Sequence, residues 1–302
     1  MRSLDTPTPV GGMIVRTIPR SRGLLLTTLG RLGRNPAGVF GLGAVTLLVL
    51  MALFAPVIAP YGPLVQDGQA ELSPPSAAHL FGTDELGRDL LSRVIYGGRT
   101  SLLVGVLSVT LGSLIGVTSG LAAGYVGGWL DAVIMRLWDV LLAFPAILIG
   151  IAIAAMLGPG ATNAGIALAV VSIPQFSRIT RASVLGEKQR DYVQAARSIG
   201  VRGISIAVRH ILPNTISPFL VQLSLAMGYA VLLEAGLSFL GLGTQPPDPS
   251  WGGMLNASRT YLRDAPYYAI FPGIALSILL LGLNFLSDAL RDALDPKLTH
   301  LR

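Results

Sequence analysis

The sequence predicts an all-α integral membrane protein with six transmembrane helices and both termini in the cytoplasm. Three observations lead to this prediction: a shortage of charge, long stretches without charged residues, and a one-sided distribution of basic residues. Of the 302 residues, 52% are apolar and only 13% are charged. Soluble domains have a similar apolar fraction but about 25% charged residues. The deficit of charge therefore indicates that much of the chain lies in lipid.

Six stretches that are poor in charge account for the membrane-spanning part, since a helix needs about 20 apolar residues to cross a bilayer. They are residues 36–60, 101–130, 132–157, 163–176, 214–242 and 265–286. The third contains Arg136, Asp139 and Pro145, and the fifth contains Glu234. The fourth is the shortest, and its strictly apolar part, 164–174, is also short enough for a re-entrant segment.

The basic residues decide between five and six crossings. With six crossings and an inner N-terminus, 16 of the 22 basic residues fall on the inner side, and seven of them lie between residues 178 and 209. If the fourth stretch did not cross, this basic segment would lie outside, against the positive-inside rule. We therefore expect six crossings. The net charge of +6 follows from this topology, so nucleic-acid binding is not needed to explain it.

The chain divides into five predicted parts. These are a cytoplasmic tail (1–35), the first transmembrane helix (36–60), an extracytoplasmic loop (61–98), a core domain with five transmembrane helices and a cytoplasmic loop at 178–213 (99–290), and a second cytoplasmic tail (291–302). In the extracytoplasmic loop, Leu86, Leu90 and Val94 fall on one helical face, and Arg88 and Arg93 fall on the other. This pattern predicts an amphipathic helix along the outer membrane interface.

The second predicted span carries a small residue at every fourth position, namely Gly112, Gly116, Gly120 and Gly124. Such a ridge lets a neighbouring helix approach closely. It is compatible with tight packing inside one helical bundle and with an interface between subunits.

Ionisable residues inside the predicted spans are candidate functional groups, because charge in a membrane is costly and usually faces the bundle interior. Arg136 and Asp139 are three residues apart and share a helix face, so they form either a local ion pair or part of an inner gate. Glu234 has no cation nearby in sequence. It could line a pathway, relay protons, or stay protonated and hydrogen-bond another helix.

The cytoplasmic loop contains a short predicted helix between Asp191 and Gly200. One face of this helix carries Tyr192, Ala195, Ala196 and Ile199, which follow the i, i+3, i+4, i+7 spacing of an amphipathic helix. Gly200 suits the position after a helix end, and Pro213 suits the start of the fifth span. The segment is either a docking surface for another protein or an ordinary basic loop.

The same loop resembles the EAA loop of ABC importer permeases. The residues at the fixed positions of the motif are Gln194, Ala195, Ala196, Gly200, His210, Leu212 and Pro213. The family motif has Glu where this chain has Gln194 and Ile where it has His210, and the other five positions agree. The resemblance implies that these residues form a coupling helix that sits on a cytoplasmic ATPase.

Further blocks resemble the dipeptide, oligopeptide, glutathione and nickel branch of these importers, in particular the second permease of the pair. They lie at residues 81–89, 237–243, 245–252 and 288–296. The resemblance implies a type I ABC importer permease bundle in a bacterial or archaeal inner membrane. It also implies a related permease as heterodimer partner, two ABC ATPase subunits that bind ATP and Mg²⁺, and an extracytoplasmic substrate-binding protein.

The chain itself offers no catalytic chemistry. A phosphate-binding loop needs Gly-Lys-Ser/Thr, whereas Lys188 and Lys297 follow Glu and Pro. There is no Cys, and His79, His210 and His300 lie in predicted loops without clustered metal ligands. We therefore predict no catalytic residue, no metal and no cofactor in this chain, so the energy comes from a partner or an ion gradient.

Two rival functions follow from the same residues. A proton-coupled secondary transporter would use Glu234 as its relay, and an intramembrane enzyme would need a nucleophile beside a base or a metal site. The transported substrate is not specified by the chain, because a separate binding protein would select it.

Overall fold

The structure, a computed structural model, describes residue 33 and residues 35–294, and these residues form helices and loops without a β-strand. The helices are α1 (Pro36–Leu53), α2 (Ala55–Ile58), α3 (Leu90–Val126), α4 (Gly128–Leu142), α5 (Ala146–Leu157), α6 (Ala161–Glu187), α7 (Asp191–Ser198), α8 (Gly203–Ser205), α9 (Ile216–Phe239), α10 (Trp251–Ser258) and α11 (Tyr267–Leu294). A π-helical turn (Ile206–Ile211) and a 3₁₀ turn (Leu212–Thr215) join α8 to α9. Most of both predicted tails lies outside the described residues.

The prediction of a mostly helical protein with several apolar helices long enough to cross a membrane is confirmed. Within the described part of the chain, four helical stretches are long and apolar enough to cross a membrane: Pro36–Leu53, Leu90–Val126, Gly203–Phe239 and Tyr267–Leu294. A fifth is added if α4 and α5 together form one span. The helix that covers the fourth predicted stretch, α6, does not qualify, since polar residues interrupt it. Six crossings therefore stay a prediction.

The third predicted span is bent rather than straight. The axes of α4 and α5 differ by 90° across a break of a few residues. Pro145 lies in this break as the N-cap of α5. Proline has no N–H for a helical hydrogen bond and disfavours helical angles at the preceding residue, here Phe144. The chain therefore changes direction at the proline that the sequence shows in the middle of this span.

The glycine ridge of α3 packs along α6. Gly112, Gly116, Gly120 and Gly124 face, in order, Ser172, Phe176, Ser177 and Val184. A Cβ atom at Gly116 would lie 2.5 Å from the Cβ atom of Phe176, which is too close for any residue larger than glycine. The ridge therefore packs inside the bundle. Because the residue numbers rise together on both helices, α3 and α6 run in the same direction.

The chain between these two parallel helices returns along α6 through α4 and α5. The contacts that show this are Asp131 with Arg181, Asp139 with Arg178, Gly150 with Leu168, and Leu157 with Asn163. Residue numbers rise on one side as they fall on the other, so α4 and α5 are antiparallel to α6. By the same criterion, α9 is antiparallel to α3, because Gly105 faces Val231 and Val109 clusters with Ala226 and Ala230.

The predicted interfacial helix in the outer loop is wrong. Residues 81–89 form loop and turns, and the helix begins at Leu90 as the first turn of α3. Gly87 has a φ of +69°, which is incompatible with a helix through this segment. The side chain of Asp89 accepts a hydrogen bond from the Ser92 amide at 2.8 Å and so caps α3.

The charged residues that were expected to face water at this end are buried. The carboxylate of Asp84 accepts from Arg88 Nε at 2.6 Å and from two backbone amides, and Arg93 Nε lies 3.2 Å away. The side chains of Arg88 and Arg93 are only 6% and 7% exposed. Trp251 is buried beside them, where its indole N–H donates to the Val94 carbonyl oxygen at 2.9 Å. The outer loop is thus part of the folded core.

Candidate functional site

The EAA-like segment folds as a compact unit between α6 and α9. Val193 and Ala196 of α7 are buried against Val184 at the end of α6 and against Ile206 and Ile211 of the π-helical turn. Of the face predicted from Tyr192, Ala195, Ala196 and Ile199, only Ala196 is buried; the others are exposed. The buried residues Val193 and Ala196 are also spaced to share one helical face, and Val193 supplies the larger aliphatic surface toward the bundle. The predicted face therefore points mainly outward.

Gly200 ends α7 as predicted. Its φ is +78°, its N–H donates to the Arg197 carbonyl oxygen at 3.0 Å, and the Val201 N–H donates back to Ala196 at 3.1 Å. This is the Gly-terminated helix end expected from the sequence. A Cβ atom at Gly200 would meet nothing within 4 Å. The backbone angle, rather than a close neighbour, is therefore the reason for glycine here.

A tyrosine links α7 to both neighbouring helices. The Tyr192 hydroxyl donates to Glu187 Oε2 at 2.6 Å, and Asn214 Nδ2 donates to the Tyr192 hydroxyl at 3.2 Å and to the His210 carbonyl oxygen at 2.6 Å. Partial desolvation of the hydroxyl and the adjacent Glu187 carboxylate raise the pKa of Tyr192 to about 12. The phenol therefore stays protonated at neutral pH and keeps donating. The hydroxyl connects the end of α6 with the turn that leads into α9.

The remaining motif residues lie in the irregular turns before α9. His210 is in the π-helical turn, with Nδ1 3.3 Å from the Ser205 carbonyl oxygen. Leu212 and Pro213 begin the following 3₁₀ turn. Proline cannot donate to the preceding helical turn, which explains why regular α-helical bonding is interrupted here. Such π-helical turns are frequent at functional sites.

The outward surface of this unit is both apolar and basic. Ile199 and Ile204 are 80% and 77% exposed, and Arg197, Arg202 and Arg209 are exposed beside them. A recess of about 620 Å³ lies next to α7 and includes Gln194 in its lining. Gln194 Nε2 donates to the Gln189 carbonyl oxygen at 3.2 Å. The surface can dock a protein that presents an apolar groove with acidic neighbours.

The predicted ion pair between Arg136 and Asp139 does not form. Asp139 instead accepts from Arg178 of α6 at 2.5 Å, and Arg136 is exposed without an ion pair among the described residues. A second, bidentate pair joins Arg181 to Asp131 at 2.5 and 2.6 Å. Pairing three residues apart on one helix stabilises by only about 0.2–0.5 kcal/mol, so a guanidinium on a neighbouring helix competes easily. These pairs bridge α4 and α6.

Glu234 is fully buried in α9. Its Oε1 atom accepts from Ser238 Oγ at 2.7 Å, whereas Oε2 has no hydrogen-bond partner among the described residues. The Ser101 side chain of α3 lies near the same carboxyl group, but its hydroxyl also lacks a partner with hydrogen-bonding geometry. Glu234 lies near the C-terminal end of α9, close to Ser101 of α3, and is not brought together with Arg136 and Asp139.

Sequence reasoning missed Arg178, Arg181, Asp131 and the role of Tyr192. Asp131 and Arg181 are 50 residues apart in sequence, and no local pattern links them. Tyr192 was recognised only as an apolar member of a helical face. Its partners Glu187 and Asn214 lie 5 and 22 residues away, so no helical spacing in the sequence pointed to them.

Two family models match the chain. The model for "binding-protein-dependent transport system inner membrane component" matches residues 112–300, and the model for the "N-terminal TM domain of oligopeptide transport permease C" matches residues 24–75. Together they cover both the EAA-like segment and the first predicted span.

Curated relatives match over nearly the whole chain. The dipeptide transport system permease protein DppC of Alkalihalophilus pseudofirmus is 44% identical over 89% of this chain and 88% of its own length. The glutathione transport system permease protein GsiD of Pectobacterium atrosepticum is 47% identical over 87% and 86%. The di/tripeptide transport system permease protein DppC of Pseudomonas aeruginosa is 46% identical over 88% and 90%.

A solved structure agrees in fold. A chain of the MetNI methionine ABC transporter, in inward-facing conformations, superposes with a TM-score of 0.57 at 17% identity, covering 68% of this chain and 98% of that chain. None of these similarities supports a proton-coupled transporter. With its fold, its family matches and its relatives in agreement, this chain belongs to the binding-protein-dependent inner-membrane permeases and is the permease component of an ABC importer of the peptide branch.

Proposed function

We propose that this chain forms half of the translocation pathway of a heterodimeric importer in a bacterial or archaeal inner membrane. Its partners are a related permease, two cytoplasmic ATPases that bind ATP with Mg²⁺, and an extracytoplasmic substrate-binding protein. The observation that carries the proposal is the unit around α7, which is anchored inward by Val193 and Ala196 and leaves Ala195 and Ile199 exposed. The names of the relatives support short peptides or glutathione as the substrate class.

The proposed topology has six crossings with both termini in the cytoplasm. Support comes from the direction of the helices: α3 and α6 are parallel and α4 and α5 run back between them. A chain that enters α6 in the same direction as α3 must have returned across the membrane in between. In this arrangement the bent α4–α5 pair is the third crossing and α6 the fourth. The basic segment 178–209 then lies inside, as the positive-inside rule requires.

The coupling step uses α7 as a rigid contact. Because the Tyr192 hydroxyl bonds to Glu187 on the α6 side and to Asn214 on the α9 side, a displacement of α7 by closing ATPases moves both helices. Gln194 stands where the family has Glu, and its side chain amide bonds locally to Gln189. A charged group at this position is therefore not needed to shape α7.

The proposed inner gate involves Asp139 through its contact with Arg178, with Arg136 exposed on the same helix. The pair is about half exposed on both sides, so it can open without a large desolvation change. Glu234, closed off near the outer end, would join the pathway only after α3 and α9 move apart. In the present conformation the one hydrogen bond that its carboxyl group makes among the described residues is to Ser238 of its own helix.

The docking role is tested by changing the exposed face of α7 without touching its anchor. Ala195→Arg should abolish co-purification of the two co-expressed ATPases and reduce uptake to background, while the variant still inserts into the membrane. Gly200→Val should have the same effect through the backbone angle. Ala77→Arg, the same substitution as Ala195→Arg at an exposed site of the outer loop, is the matched control. Normal ATPase binding and uptake by both α7 variants would contradict the docking role.

The substrate class is tested by uptake in a strain that lacks the permease. Cells that carry the full transporter should accumulate a labelled di- or tripeptide or glutathione, and cells that carry the Ala195→Arg variant should not. Uptake of a nickel chelate alone, with no peptide uptake, would contradict the proposed substrate class.

A further inference from the structure

A polar groove lies on the faces of α6, α9 and α11. It has a volume of about 410 Å³, and its polar lining consists of Gln175, Gln222, Tyr229 and Asn284. The rest of the lining is leucine and glycine, so no charged side chain contributes. One hydrogen bond crosses the groove, from Gln222 Nε2 to Gln175 Oε1 at 3.2 Å. We call this feature the amide groove.

The amide groove lies in the inner half of the predicted spans. Gln222 and Tyr229 lie eight and fifteen residues inside the fifth span, 214–242, whereas Gln175 and Asn284 lie one and two residues from the inner ends of the fourth and sixth spans, 163–176 and 265–286. Eight helical residues extend about 12 Å, which is within the hydrocarbon core of about 30 Å. In the proposed topology the groove therefore reaches from the inner boundary of the membrane into its interior.

The groove does not suit contact with lipid. Asn284 and the Tyr229 hydroxyl make no hydrogen bond within the described part of the chain, and both residues are exposed. The Gln222–Gln175 bond leaves further donors and acceptors of both amides free. Polar groups without partners are costly in hydrocarbon, and at this depth they usually face a bundle interior or a water-filled cavity. This face is therefore covered by something polar.

The chemistry of the groove matches a peptide backbone. A side-chain amide offers an acceptor oxygen and N–H donors that can pair with the N–H and the carbonyl oxygen of a peptide group, and a phenol can donate and accept. Because the lining is uncharged and otherwise leucine and glycine, it would not select among substrate side chains by charge. The groove is suited to a neutral, amide-rich solute rather than to a metal ion or a sugar phosphate.

We propose that the amide groove is part of the translocation path and hydrogen-bonds the backbone of a passing peptide. This inference rests on the proposed function, since it needs a peptide as the cargo, and it names which residues of the chain contact that cargo. The lone Gln222–Gln175 bond closes part of the groove while no peptide is present. A passing peptide group replaces that bond with two bonds of its own.

The first test compares uptake by variants of the groove with uptake by a neighbouring control. Gln222→Leu combined with Asn284→Leu should lower the uptake rate of a labelled tripeptide at least tenfold, mainly through a higher half-saturation concentration. Gln222→Asn should restore part of it. Ser224→Ala is the control, because that hydroxyl bonds only to the Leu220 carbonyl oxygen of its own helix. Co-purification of the related permease should be unchanged in all variants.

The second test uses the absence of cysteine from this chain. In single-cysteine variants, Gln222→Cys and Asn284→Cys should react with a water-soluble thiol reagent, and saturating tripeptide should slow both reactions. Val106→Cys, on an exposed apolar position of α3, should react slowly with and without peptide. This readout does not require full transport activity and so remains valid if the leucine variants assemble poorly.

The outcomes separate the two proposals. Tripeptide uptake by the unmodified transporter, with unchanged uptake by the double leucine variant and no protection of the cysteines, would overturn the inference alone. Loss of the related permease from the purified complex of the double leucine variant would assign the groove to the interface between permeases and would also overturn it. No peptide uptake by the unmodified transporter would overturn the proposed function and the inference together.

Discussion

The two ends of the molecule handle charge in opposite ways. At the end predicted to be extracytoplasmic, Asp84, Arg88 and Arg93 form a buried cluster in which each side chain is at most 7% exposed. At the other end, Asp139 and Arg178 form a pair whose side chains are 48% and 51% exposed. A buried charge that loses its partner costs about 3–5 kcal/mol, whereas an exposed ion pair contributes about 0–1 kcal/mol. The predicted outer end therefore holds one arrangement of charges, and the ion pairs at the opposite end can exchange partners.

Substitution in the outer cluster should have the largest effect. Asp84→Asn would leave the buried Arg93 without its carboxylate partner and Arg88 with only the 3.2 Å contact to Glu85, so we expect a loss of about 3–5 kcal/mol of unfolding free energy. The measurement is the thermal unfolding midpoint of the purified protein in detergent. Asp67→Asn is the control, because Asp67 is an exposed acid of the same loop whose carboxylate accepts a local hydrogen bond from the Gln69 amide. Equal midpoints for both variants would show that the cluster is not fixed by Asp84.

A smaller effect is expected at the joint between α7 and its neighbours. Tyr192→Phe removes one hydroxyl and leaves Glu187 and Asn214 with one bond fewer, at a cost of about 1 kcal/mol. Stability should change little, but the amount of substrate imported per ATP hydrolysed should fall. Tyr125→Phe, in the same cluster, keeps the ring that lies below Lys188 and Arg197 and should leave this ratio unchanged. An unaltered ratio in Tyr192→Phe would assign the phenol a structural role only.

The smallest effect on stability is expected at Asp139. Asp139→Asn weakens an exposed pair and should change the unfolding free energy by about 0–1 kcal/mol, with the difference shrinking further at high salt. If the pair belongs to the inner gate, the same variant should raise ATP-independent leak of substrate from loaded vesicles. A large drop in stability together with an unchanged leak would reverse the contrast between the two ends.

Much of the fold could be predicted because lipid imposes simple local rules. Uncharged stretches located the long helices, and the glycine spacing identified the ridge on α3. Gly200 was recognised because a helix end with positive φ favours glycine. The outer loop was misread because Leu86–Val94 spacing suggested a helix, while the positive φ of Gly87 is a single-residue property that periodicity does not register.

The candidate site was less predictable, because its geometry depends on contacts between distant residues. The EAA-like residues were found through a motif, but which of them face inward depends on Val184 and Ile211 of other helices. The partner of Asp139 lies 39 residues away, beyond any helical pattern. The amide groove combines three helices and carries no local signature, since Gln175, Gln222 and Asn284 are each isolated among apolar residues.

The π-helical turn before α9 also sets how far that helix is rotated about its own axis. One residue corresponds to about 100° of rotation in an α-helix, and a π-helical turn holds an additional residue relative to regular winding. Losing a single residue from Ile206–Ile211 would turn every side chain of α9 by that angle relative to α7. Gln222 and Tyr229 would then leave the groove, and Glu234 would leave Ser101. The irregular turn thus fixes the rotation of α9, and with it the amide groove, relative to the exposed surface of α7.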